Sequence, residues 1–220
     1  MQINDKLALP GEHPLFLSGQ MGPLEAVITI PSILDERYIA IIGHPHPLQG
    51  GTMNNKVVTT LVRAFKDLNI PSIRFNFRGV GQSVGQFDQG IGESEDMLQI
   101  ARLCQQEMPS VNLIFAGFSF GSYVAYRAAA QCKHSLLITI APPVHHYNYA
   151  EFSSVPIPWM IFQGDHDDIV PLQSVLDFMA GSSYPIVFEQ FSETGHFFHG
   201  RLVALKMRLI ERIHQQLELA

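Results

Sequence analysis

The 220-residue sequence predicts an α/β fold, a doubly wound and mostly parallel sheet flanked by helices. Three observations carry that expectation. Short apolar runs alternate with amphipathic stretches of helical length along most of the chain. Residues 38–42 are apolar without a break, which is how a strand covered on both faces reads. Gly117-Phe118-Ser119-Phe120-Gly121 lies between an apolar run and a helical one, and there glycines let a strand turn sharply into a helix. A hydrophobic content of 46% supplies one sizeable core, so residues 1–220 are expected to form one domain.

Taken in order, residues 6–30 hold short extended runs broken by Pro10-Gly11 and Gly22-Pro23, with a strand over 24–30 ending at Pro31. The strand over 38–42 stops at Gly43. A loop too rich in Pro and Gly for regular structure follows, and Thr52 offers an N-cap to an amphipathic helix over 53–68. A strand over 72–77 leads into a glycine-rich connection and then a helix over 93–107, ended by Pro109. Strands over 111–116, 136–140, 156–163 and 185–191 alternate with helices over 122–131, 172–180 and 200–217. Such a sheet carries its active groups on loops at the carboxyl ends of its strands.

Charge narrows the function classes. A net charge of −6 without charge runs leaves no basic surface for nucleic acid or an anionic membrane. Cys104 and Cys132 both fall within predicted helices, and a pair without a framework reads as buried thiols in a reducing compartment. Residues 1–10 do not read as a signal peptide and no run reaches the length of a membrane span, so a soluble cytoplasmic protein is expected.

The chemistry follows from Ser119. A serine hydroxyl is a weak nucleophile until an imidazole removes its proton, and that imidazole needs an acceptor to hold its tautomer. Two later strand ends supply both. One is followed by Asp165, Asp167 and Asp168 just before a helix, the other by His196 and His199, and the chain order Ser, Asp, His is that of α/β-hydrolase motifs. Spacing alone leaves the choice among the three carboxylates open.

The sequence resembles the α/β-hydrolase superfamily over essentially its whole length, and within it the small bacterial hydrolases that lack a lid. The matching blocks are His44-Pro45-His46-Pro47 with Gly50-Gly51-Thr52-Met53-Asn54-Asn55-Lys56, then Arg74-Phe75-Asn76-Phe77-Arg78-Gly79-Val80-Gly81, then Gly117 to Gly121, and His196-Phe197-Phe198-His199-Gly200. The resemblance implies an α/β-hydrolase fold with no lid domain. It implies Asp167 as the acid, from the register of Gly164, Val170 and Pro171, and His196 as the base, with His199 capping or orienting. It also implies an oxyanion hole built from the Phe120 N–H and one N–H of the loop after Gly43. Pro45 and Pro47 have no N–H, which leaves Leu48 as the choice and His46 and Gln49 as alternatives.

Other constellations read as structure. His44, His46, His145 and His146 lack the Cys or carboxylate partners of a metal site, so no metal and no cofactor are expected. The glycines of 78–92 match neither a Walker loop nor a dinucleotide fingerprint, and Arg78 is expected to pair with a carboxylate. Phe118, Phe120, Phe197 and Phe198 read as core before acyl pocket. Residues 141–155 are too few for a helical cap, which predicts an open site and short-chain or water-soluble substrates. The expected function is serine hydrolysis of a small-molecule carboxylic ester through an acyl-enzyme. The alternatives are a thioesterase or peptidase using the same residues, and a non-catalytic binding protein on the same fold. Neither substrate-binding residues nor oligomeric state follows from the spacing.

Overall fold

The computed structural model describes residues 3–152 and 155–219. Its strands are β1 (Gly11–Ser18), β2 (Pro23–Ile30), β3 (Tyr38–Gly43), β4 (Ser72–Phe75), β5 (Asn112–Phe118), β6 (Leu136–Ile140), β7 (Trp159–Gly164) and β8 (Ile186–Phe191). Its helices are α1 (Asn4–Leu7), α2 (Lys56–Asp67), α3 (Ile91–Glu107), α4 (Phe120–Ala129), α5 (Leu172–Ala180) and α6 (Leu202–Leu217). All eight strands join one sheet in the order β1-β2-β4-β3-β5-β6-β7-β8. Only the pairings of β2 with β1 and β4 are antiparallel; from β4 through β8 neighbours run parallel.

The unbroken apolar runs are explained by burial on both faces. On β3, Ile39 and Ile41 face the core under α3 and α4, while Ala40 and Ile42 face the core under α2 and α6. β5 divides in the same way, with Leu113 and Phe115 on one face and Ile114, Ala116 and Phe118 on the other. A strand with no solvent face has no polar phase to alternate with. The parallel pairing then brings the loops after β3, β5, β6, β7 and β8 to one edge of the sheet.

Several boundaries differ from expectation by a few residues, and for two helix starts the reason is a side-chain hydrogen bond to the segment in front of the helix. Helix α2 begins at Lys56 rather than Met53, because Met53 N–H is held by Asn76 Oδ1 at 2.9 Å and residues 52–55 close a turn. Asn55, not Thr52, is the N-cap, its side chain accepting from Val57 N–H at 2.8 Å. Helix α3 starts at Ile91, two residues early, because the Glu93 carboxylate accepts the Asp88 and Gly90 amides at 2.8 Å and closes the turn in front of it. Cys132 lies beyond α4 and is half-buried, whereas Cys104 is fully buried, which pushes its thiol up to about 12.

The close approach of β3, β5 and α4 depends on three glycines. A Cβ on Gly117 would lie 2.0 Å from Gly121 O, and one on Gly121 would lie 2.4 Å from the carbonyl of Gly43. Backbone cannot yield to such contacts as a flexible side chain can. Gly117→Ala is therefore expected to lower folding stability by about 3 kcal/mol or more, read as a fall in the urea midpoint. An unchanged midpoint would contradict the packing described.

Candidate active site

Ser119 sits where β5 turns into α4, with φ 54° and ψ −122°. Holding a non-glycine residue there costs on the order of 1–3 kcal/mol. The surroundings enforce it: Ser119 N–H donates to Ile140 O at 2.8 Å, and the buried Ser122 Oγ lies 2.9 Å from both Gly117 O and Ile140 O. The Ser119 hydroxyl has no hydrogen-bond partner among the described residues and is left to the cleft.

Of the three carboxylates after β7, Asp168 is exposed and Asp165 accepts from Thr194 N–H, while Asp167 is buried. Asp167 Oδ1 accepts the amides of Ile169 and Val170 at 3.0 and 2.7 Å. Its Oδ2 lies 2.8 Å from His196 Nδ1. His196 is buried against the Phe118 ring, whereas His199 is exposed and stacks on Phe197. Ser119 and His196 line the same cleft of about 100 Å³. A second cleft of about 220 Å³ opens beside Ser119 between His46, Phe120, His145, His146 and Tyr147. The structure thus gathers Ser119, Asp167 and His196 at one edge of the sheet.

The loop after β3 corrects one assignment. Leu48 is exposed at 73%, and its N–H is already held by His46 Nδ1 at 3.2 Å, so it is not the second oxyanion donor. Gln49 and Gly51 donate to His46 O, and Gly50 donates to Pro47 O. Among residues 45–51 only the His46 amide keeps a free N–H. Phe120 N–H is the first amide of α4 and has no partner within the helix. The ring centroids of His46 and Phe120 lie 5.1 Å apart, so both amides belong to the same corner.

His44 holds that loop in place. Its Nε2 accepts Phe77 N–H at 3.0 Å and its Nδ1 donates to Pro45 O at 2.6 Å, which defines a neutral tautomer using both nitrogens. Burial pushes its pKa down to about 4. Among the described residues no group of three His, Cys, Asp or Glu side chains is placed to hold a metal.

Searches against known proteins agree on kinship. No family model matches the chain. The uncharacterized protein RP471 of Rickettsia prowazekii is 38% identical over 171 residues, 73% of this chain and 71% of that protein. An alpha-beta serine hydrolase homologue from Coxiella burnetii superposes with a TM-score of 0.87 at 42% identity, over 91% of this chain and 96% of that one. XC6422 from Xanthomonas campestris, described as an α/β serine hydrolase without lid, gives 0.89 at 38% identity, over 93% and 94% of the two chains. The chain belongs to the α/β-hydrolase superfamily. Among the described residues of this hydrolase no helix is long and apolar enough to cross a membrane.

Several residues of the hydrolase escaped the sequence reading. Gln163 stands one residue before the end of β7 with its side chain wholly buried, and its Nε2 donates to Asp167 Oδ2 at 3.1 Å and Val170 O at 2.9 Å. A glutamine closing an otherwise apolar strand was the available signal. Asn76 joins the turn before α2 to Glu25, and Arg78 Nε donates to Asp96 Oδ2 at 2.8 Å, the carboxylate pairing expected of it. Phe118 and Phe198 are core and Phe120 is core that also borders a cleft, whereas Phe197, expected in the core, is exposed and lines the cleft of Ser119 and His196.

The burial of neutral His44 makes stability depend on pH. Its folded pKa lies below the ordinary value of 6.5, so the unfolded chain takes up the proton first, and stability is lost as pH falls from 6.5 toward 4. The contribution of His44 is about 3 kcal/mol. Urea titrations across that range are expected to show a shallower pH slope for His44→Gln than for the native chain, and equal slopes would refute the assignment.

Proposed function

We propose that this α/β hydrolase cleaves carboxylic esters through an acyl-enzyme on Ser119. The observation that carries this reading is a positive-φ serine sharing a cleft with an imidazole whose other nitrogen is held by a buried carboxylate. In the attacking step, Ser119 Oγ bonds to the acyl carbon as His196 Nε2 takes the hydroxyl proton. Asp167 keeps Nδ1 protonated and stabilises the imidazolium. The carbonyl oxygen becomes an oxyanion held by the N–H groups of Phe120 and His46, a donor pair of which each member contributes roughly 3–4 kcal/mol. Collapse breaks the C–O bond to the leaving alcohol, which takes its proton from His196. Water, deprotonated by the same imidazole, then hydrolyses the acyl-enzyme.

Because His196 must reach the leaving oxygen, the leaving alcohol belongs on the side of the cleft that His196 lines. The acyl group then enters the cleft under His145 and His146. That cleft, about 220 Å³, is smaller than the roughly 300–1,000 Å³ of sites for drug-sized ligands, which supports a short acyl group.

A fluorophosphonate probe followed by intact mass is expected to give one adduct on the native chain, none on Ser119→Ala and slowed labelling of Asp167→Asn. Turnover by Ser119→Ala is expected to fall by roughly 10⁴ or more with unchanged circular dichroism; retained turnover would mean another nucleophile. Across ethyl esters from acetate to decanoate, kcat/KM should peak at a short chain, and a steady rise with length would overturn the short-acyl reading.

A further inference from the structure

The 220 Å³ cleft beside Ser119 carries a side-chain chemistry that the proposed reaction does not use. Among the described residues that line it there is no Asp, Glu, Lys or Arg. Instead His46 enters from the loop after β3, and His145 and His146 from the loop after β6. Because Leu48 N–H donates to His46 Nδ1, the neutral His46 ring carries its proton on Nε2 and keeps that donor free. The rings of His145 and His146 make no hydrogen bond and no ion pair among the described residues; their centroids lie 5.8 Å apart, and that of His146 lies 5.6 Å from Tyr147.

We propose that this cleft is a subsite for a carboxylate at the far end of the acyl chain, so that the preferred substrates are half-esters of short dicarboxylic acids. The inference rests on the serine-hydrolase reading for its chemistry, but the subsite stands on its own geometry. Three basic rings converge with no acid among the residues that line the cleft, and protonating one opposes protonating the next. An anion between them reverses that balance and gains charge-assisted hydrogen bonds. Burial, and then the charge of His146, lowers the basicity of both His46 and His145, while Asp167 works the other way on His145. Tyr147 stays a neutral phenol, its pKa raised by burial and by the charges of Tyr123 and Glu93. The remaining charged groups at this edge are accounted for: Asp167 is held by His196 and Gln163, and Asp168 faces solvent. Phe120, Ile169 and Val170 line the same cleft and offer apolar contact to the intervening methylenes.

The test compares ethyl hydrogen succinate with its uncharged isostere, ethyl 4-methylpentanoate. At pH 5.5 kcat/KM is expected to favour the anionic ester by about tenfold or more, the scale of one charge-assisted hydrogen bond, and the ratio is expected to fall as pH rises toward 8. The double variant His145→Gln/His146→Gln is expected to bring the ratio to about one. Equal rates in the native chain, a preference for the neutral ester, or a ratio unchanged in the double variant would overturn the subsite. A second arm uses Ser119→Ala, with its histidine ring resonances followed by NMR during titration with ethyl hydrogen succinate. An upward shift in the apparent pKa of His145 or His146 supports the subsite even if neither ester is turned over and no phosphonate adduct forms, in which case the hydrolase reading alone fails. Rings that titrate identically with and without the half-ester would overturn the subsite whatever the turnover.

Discussion

Everything at the carboxyl edge of the sheet depends on backbone touching backbone where β3, β5 and α4 meet. Gly117 and Gly121 leave no room for a Cβ, one on Gly43 would press on Gly121 O at 3.0 Å, and that close contact lets α4 start directly beneath the end of β3. Two consequences follow from one constraint. Ser119 is forced into a left-handed conformation that lifts its hydroxyl off the helix, and the amide at the start of α4 comes to the same corner as the loop carrying His46. The strain at Ser119 is sustained because the surrounding amides and the Ser122 hydroxyl have acceptors only in this arrangement.

Around that corner the protein uses imidazoles in distinct electrostatic settings. His44 is buried with both nitrogens committed to backbone, and it acts as a neutral strut between the ends of β3 and β4. His196 is buried beside a carboxylate that can balance its charge. His46, His145 and His146 line an open cleft that has no acid among its lining residues. The residue type is the same, but the partners differ: backbone on both nitrogens of His44, and a carboxylate on Nδ1 of His196. Asp167 shows the same logic from the acid side, since two backbone amides and Gln163 hold its oxygens while leaving one of them for His196.

Much of this was legible without coordinates. Unbroken apolar runs are diagnostic of strands buried on both faces, and β6 and α5 fall on the residues expected of them. The glycines of the 117–121 turn carry their own explanation, because a residue without Cβ in that pattern has few other reasons to be there. Boundaries slipped where a long-range partner intervened, as at α2, whose start is displaced by the bond from Met53 to Asn76. Pattern reading within a window sees no residue 23 positions away.

The sequence by itself determined the class of fold, the turn that holds Ser119, and the strand-end loops that carry Asp167 and His196, because these depend on local periodicity and on residues whose backbone preferences are intrinsic. Only the tertiary structure decided which amide of the 45–51 loop remains free, and that Gln163 supports Asp167, the carboxylate the family resemblance also points to, where it is buried against His196. Those are questions of who already has a partner. A hydrogen bond made by one group removes it from the reach of another, and that exclusion is settled only when segments far apart in the chain are brought to the same edge of the sheet.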